Sequence, residues 1–287
     1  VVEIVAPVLL VVALGFGWVK AGFDYPTDFV TRLSMSLAVP ALIFTALMKT
    51  TIAPAALSAV MLAAILGYGL LGLAFWGLLR LGRLPQRTFL SPLTFGNTGN
   101  LGLPLALFAF GEAGFAYAVI VFAVMAIGTF TFGLWLVAGG GTPWRALKEP
   151  VTWATLLGAL FLHQRWHTPD WLTDALDLVA QLAIPIMLLT LGVAIARLTP
   201  GHLPRAFALS ALRVPVCIGA ALAAGHALGL DPVALAVLVL QLSTPVAVTS
   251  YMLAVRHGAD ADAVAGLVLA STLLAVVSLP LTLAFLI

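Results

Sequence analysis

Two stretches, Phe95 to Pro104 (FGNTGNLGLP) and Gln241 to Ser250 (QLSTPVAVTS), set Gly, Pro and amide or hydroxyl side chains in the middle of otherwise apolar segments. Backbone N–H and C=O groups freed by such breaks cannot face lipid, where an unsatisfied group is costly, so broken backbone at membrane depth has to line a polar cavity. Paired breaks in corresponding places of two halves mark binding sites in transporters.

The composition is that of a membrane-embedded chain. Of 287 residues, 62% are hydrophobic and 8% charged, with a mean hydropathy of +1.15, which is too apolar for a soluble globular chain. At about 20 apolar residues per crossing, turn and charge clusters divide the chain into ten expected spans: 3–19, 29–48, 55–79, 88–110, 114–138, 150–163, 171–196, 203–228, 231–255 and 262–286. The longest polar connections, Gly139 to Glu149 and His163 to Asp170, are too short for a soluble domain. An all-α membrane protein with lipid around it is expected.

The first segment ends at Lys20 without a small-residue cleavage site and reads as a retained helix. Alternating crossings put Lys20, Arg32, Arg80, Arg83, Arg87, Arg145, Lys148, Arg197, Arg205 and Arg256 on one side and only Lys49 and Arg165 on the other. The basic side is therefore cytoplasmic, with both termini outside a cytoplasmic (inner) membrane. The formal charge of +2 reflects this topology and requires no nucleic-acid partner.

The halves resemble each other. RLSMSLAVPALIFTAL around Pro40 matches DLVAQLAIPIMLLTLG around Pro185, an offset of 145 that pairs Arg32 with Asp177 and Thr45 with Thr190. Phe110 and Gly111 match His257 and Gly258 at an offset of 147, bringing Asn97 and Thr98 opposite Thr244 and Pro245. A five-span unit repeated once inserts its second copy upside down, because an odd number of crossings leaves the chain on the opposite side. Residues 1–149 and 150–287 are then the two inverted repeats. Their broken fourth and ninth helices meet at mid-membrane, where half-helices present carbonyl ends and N–H ends together.

Asn97, Thr98 and Asn100 stand among Gly96, Gly99 and Gly102, which allow a ligand to approach the backbone closely. The plain alternative is that these polar groups only satisfy the break or hold helices together. Gln241, Ser243 and Thr244 precede Pro245, which removes a donor and frees a carbonyl. A simple proline kink is the alternative there, and also for Pro40 and Pro185, read as kinks in supporting helices.

Arg213 lies about 15 Å into the eighth span. It is either a counter-charge for an anion, suited to its planar guanidinium, or a structural partner that pairs locally or snorkels past Pro215. Asp177 is either a proton carrier or a structural partner, of Arg213 for example; Asp174 and Glu112 read as solvated charges near helix ends.

Trp18, Trp76, Trp144, Trp153, Trp166 and Trp171 read mostly as interfacial anchors. Cys217, the one cysteine, reads as a buried thiol. His163, His167, His202, His226 and His257 have no metal-site spacing. No nucleophile-elbow, zinc-protease or phosphate-loop pattern occurs, so no enzyme activity, metal or cofactor is expected. Asp174 and Asp177 alone are too little for metal-bound diphosphate chemistry.

RLSMSLAVPALIFTAL, FGNTGNLGLPLALFAFG and the tail from Gln241 to Leu281 resemble the characteristic blocks of the auxin efflux carriers and their bacterial relatives. The resemblance covers essentially the entire chain. It implies ten transmembrane helices as two inverted five-helix repeats, similar in fold to bile acid sodium symporters, with crossing helices 4 and 9. It implies a scaffold of helices 1, 2, 6 and 7, often a homodimer interface, and a transport part of helices 3–5 and 8–10.

Transport of a small organic anion is implied, with a crossover site on Asn97, Thr98, Gly99, Asn100, Pro104, Thr244 and Pro245. No acidic residue stands in either break, which speaks against carrying sodium coupling over; a sodium-coupled, bile-acid-like symporter is the alternative reading. Import or export, the coupling ion and the identity of the anion are left open by these residues, as is a passive channel in place of a carrier.

Overall fold

The structure is a computed structural model describing residues 2–140, 150–198 and 203–286; Trp144, Arg145, Lys148 and His202 lie outside the described residues. Among those described, every regular element is helical: α1 (Val2–Lys20), α2 (Thr27–Leu33), α3 (Val39–Lys49), α4 (Pro54–Leu81), α5 (Gln86–Thr94), α6 (Leu103–Gly128), α7 (Leu134–Ala138), α8 (Pro150–Gln164), α9 (Asp170–Ala180), α10 (Ala183–Arg197), α11 (Leu203–Ala227), α12 (Pro232–Leu242), α13 (Val248–His257) and α14 (Ala261–Leu286). Seven helical stretches among them are long and apolar enough to cross a membrane. The remaining expected spans hold shorter helices, such as the 15 residues of α8, the 11 of α12 and the 10 of α13.

Proline chemistry explains several irregularities. A π-helical turn, Ser34–Ala38, joins α2 to α3 just before Pro40, whose missing N–H leaves the carbonyl one turn earlier without its usual donor. The matched Pro185 follows the irregular join of α9 to α10 at Gln181 and Leu182. The α6 run also turns sharply at Gly111, where φ is 63° and ψ −159°, at the FGEAG corner expected between the fourth and fifth spans.

Helix α1 packs along α10, and α3 against α8 and α9. Separately, α11 packs against α4 and α14, and α12 against α6. The α1–α10 contact is a backbone approach. A Cβ added at Gly192 would run into the carbonyl of Val12, and one at Gly15 into that of Leu189, so each glycine admits the other helix. Small residues at such contacts are what bring helices together in lipid, where hydrophobicity gives no drive. Leucine, tryptophan and phenylalanine side chains cover the outside, including Leu10, Leu14, Trp18, Trp76, Trp153, Trp166 and Trp171.

This contact makes a prediction. Gly192→Ala places a methyl against Val12 backbone and destabilises by about 1–3 kcal/mol through overpacking. Gly77→Ala, with nothing within 4 Å of the new Cβ, leaves the melting temperature of the purified protein unchanged. Equal melting temperatures for the two variants contradict the close α1–α10 approach.

Candidate functional site

The two breaks meet. Helix α5 stops at Thr94, Phe95 is extended at φ −101° and ψ 118°, and a π-helical turn, Thr98–Gly102, leads into α6. In the second half α12 stops at Leu242, and α13 restarts at Val248 after extended Ala247. Gly96 and Val246 form an antiparallel bridge, and Asn97 N–H donates to Pro245 O at 2.7 Å. Val246 N–H donates to Ser271 Oγ at 2.9 Å. Each broken segment therefore satisfies part of the other, as the cost of unpaired backbone demands.

Close approach depends on Gly96. A Cβ there would stand 2.8 Å from Thr244 O and 3.0 Å from Arg213 Nη2, nearer than real side chains come. Arg213 lies behind this point, at 2% exposure. Its Nε donates to Leu93 O at 2.9 Å, Nη1 to Thr244 O at 2.5 Å and Nη2 to Leu242 O at 3.4 Å. These carbonyls come from both breaks, so one side chain ties the two together.

In front of the crossing lies a cavity of about 560 Å³. Gly96, Asn97, Gly99 and Asn100 line it from the first break, and Ala247, Val248 and Thr249 from the second. Asp28, Arg32 and Ser36 contribute from the second span, Thr129 from the fifth, and Arg256 from the end of α13. Asn97 Oδ1 accepts from Asn100 N–H at 3.3 Å, capping the π-helical turn, while Nδ2 is buried without a protein hydrogen-bond partner. The cavity wall thus combines the Asn97 and Asn100 side chains, the start of α13 with its N–H groups, the Asp28 carboxylate and two guanidinium groups.

The expected residues divide into two sets. Asn97, Gly99 and Asn100 line this cavity. Thr98, Pro104, Gln241, Ser243, Thr244 and Pro245 are buried behind it. Thr244 Oγ1 donates to Gln241 O at 2.7 Å, and Pro104 stands in the first turn of α6. Thr98 Oγ1, both polar atoms of the Gln241 side chain and Ser243 Oγ are buried without a protein partner.

Arg213 is neither at the cavity wall nor paired with Asp177, because its donors go to backbone carbonyls. Asp177 forms an ion pair with Lys49 at 33% side-chain exposure. Asp174 and Glu112 are exposed. Among the described residues no group of three or more His, Cys, Asp or Glu side chains is placed to hold a metal.

Sequence reasoning missed Asp28, Thr31, Arg32, Met35, Ser36, Thr129, Thr249 and Arg256 as cavity residues. From the sequence Arg32 and Arg256 read as charges that set orientation, and Arg32 also as the repeat counterpart of Asp177. The repeat held the signal, because Asp177, Ala180 and Gln181, which match Arg32, Met35 and Ser36 at the offset of 145, line a second cavity of about 690 Å³ together with Lys49 and Glu112. The two cavities use opposite ends of the run Thr27–Lys49, with Arg32 and Lys49 about 25 Å apart along it.

A family model described as membrane transport protein matches residues 1–144 and 136–283. An uncharacterized transporter of Methanothermobacter thermautotrophicus is 29% identical over 192 residues, 64% of this chain and 63% of the relative. One from Methanocaldococcus jannaschii is 28% identical over 113 residues, 35% of this chain and 36% of the relative. The matches thus span about 63% and 36% of these relatives' own lengths.

Thiol labelling checks the cavity. Cys217 is fully buried and leaves the native protein unreactive toward maleimides. Ser36→Cys and Thr249→Cys, in a Cys217→Ser background, react, whereas Ser243→Cys behind the crossing does not. Faster labelling at Ser243 than at Ser36 contradicts the arrangement.

Proposed function

This chain belongs to the membrane transport protein family, and we propose that it is a secondary carrier moving a small organic anion, a carboxylate, across the cytoplasmic membrane by alternating access. The observation that carries the reading is the paired break, Gly96 on Val246, at the floor of a cavity holding Asn97, Arg32 and Arg256. Donors and guanidinium groups suit a carboxylate.

We read ten crossings. The broken fourth span is α5 with the π-helical turn and the start of α6, and the broken ninth is α12 with α13. Gly111 separates the fourth span from the fifth. Residues 1–149 and 150–287 are read as inverted repeats, which the matched lining of the two cavities supports. The packing of α1 with α10 and of α3 with α8 and α9 supports a scaffold of helices 1, 2, 6 and 7, and the packing of α11 with α4 and α14 a transport part of helices 3–5 and 8–10.

In this reading the Arg32 and Arg256 cavity opens to the cytoplasm, both termini lie outside, and the scaffold forms a homodimer. We read no enzyme: Asp177 is held by Lys49, and the paired breaks need no chemistry to explain them. A channel is the less favoured reading, because two separate cavities at opposite ends of Thr27–Lys49 fit alternating exposure.

A thermal-shift screen of small carboxylates on the purified protein, followed by counterflow in proteoliposomes, tests the assignment. Carboxylates raise the melting temperature and flux saturates. Asn97→Ala, which removes a donor to an ionised group, weakens binding by about 10- to 100-fold without loss of folded protein. Arg32→Gln and Arg256→Gln raise the half-saturating concentration. Shifts produced only by neutral or cationic compounds, or uptake unaltered in Asn97→Ala, sink the anion carrier.

A further inference from the structure

Carbonyl ends of half-helices are where secondary carriers hold a coupling cation. In this chain the carbonyls of Leu93, Leu242 and Thr244, at the C-terminal ends of α5 and α12, are taken by Arg213. We infer that Arg213 is a resident cation, occupying with its guanidinium the place of a mobile coupling ion, so that the carrier proposed above, on which this inference rests, works without sodium.

Charge balance supports the assignment. Among the described residues the one ion pair is Lys49 with Asp177, so no carboxylate neutralises Arg213. Each helix C-terminus carries roughly −0.5 charge. Two such ends amount to about one unit, the charge of a guanidinium, in a place where an uncompensated ion would be expelled. The donors run in different directions to oxygens on two chain segments, which a planar five-donor group satisfies and a point charge on a flexible stem does not.

Tethering has two consequences. A cation fixed to α11 cannot leave with the substrate, so it stores no ion gradient in the transport cycle. Its field also reaches the anion. Gly96 lines the cavity, and on the other side its Cβ position stands 3.0 Å from Arg213 Nη2. Arg213 is a positioning residue, acting through the carbonyls and through Gly96 without touching the cavity.

The test is thermal unfolding of the purified full chain in sodium, potassium and choline chloride, with Arg213→Ala, Arg213→Met and Arg213→Lys. The wild type melts at the same temperature in all three salts. Arg213→Met, which fills the space without charge, melts about 5 °C or more lower, and Arg213→Ala regains stability in low-millimolar guanidinium chloride but not in equal choline.

Where Arg213→Ala does not fold, Arg213→Lys keeps the charge and outlasts Arg213→Met. A wild type that loses stability when sodium is replaced, an Arg213→Met as stable as wild type, or guanidinium no better than choline overturns the inference. Carboxylate counterflow in sodium against choline is the second arm, with equal flux expected. Absence of counterflow for every carboxylate counts against the carrier, while the melting data still decide on Arg213.

Discussion

Three backbone carbonyls, freed where two helices stop short, need donors in an environment that offers almost none. Arg213 provides them, and the remainder of the crossing follows. An unsatisfied buried carbonyl costs about 1–3 kcal/mol, so three together would weigh heavily against the stability of any fold. With the guanidinium in place, Phe95 and Ala247 can extend, Gly96 can pair with Val246, and Asn97 can lie at the start of a new helical turn. The side chains around it are consequences of that arrangement. Gly96 is bare because Thr244 and Arg213 fill the space a Cβ would need.

The two packing neighbourhoods have different characters. Between α1 and α10 the contact is backbone to backbone through Gly15 and Gly192, which leaves little room for sliding. The broken segments are joined to their surroundings by buried polar groups, several without a protein partner, and front a cavity. On the carrier reading this is the division of labour expected of a rigid support and a moving part. The crossing fronts one cavity, and a second lies at the opposite end of Thr27–Lys49, the arrangement that alternating access would use.

Helix content and the places of the breaks were legible in the sequence because apolar length and Gly, Pro and amide clusters are local signals. Pro40 and Pro185 each follow an irregular turn in a helical run, which is local for the same reason. Which side of the break a residue faces is not local. Asn97 and Thr98 are adjacent, yet one lines the cavity and the other is buried behind it, a difference set by how the segment pairs with Val246. Arg213 was legible as a deep charge, but its partners are carbonyls, and sequence patterns show side chains far better than freed backbone. Arg32 and Arg256 stand in the last turns of α2 and α13, where a basic residue is expected from orientation alone, so their place at a cavity leaves no separate local signal.

Likeness of fold does not carry ion coupling from one protein to another, because function resides in the site and not in the architecture. The likeness to bile acid sodium symporters that the sequence resemblance implies would concern helices and their crossing. On the inference drawn above, the occupant of the carbonyl cluster decides coupling, and Arg213, which holds these carbonyls, is covalently part of α11. A sodium ion and a guanidinium satisfy similar oxygens, but only the first exchanges with solution and can be driven by a gradient. On that reading one residue of α11 would separate two modes of transport, and the lack of a carboxylate in either break accords with it, since a carboxylate there would have no mobile cation to balance.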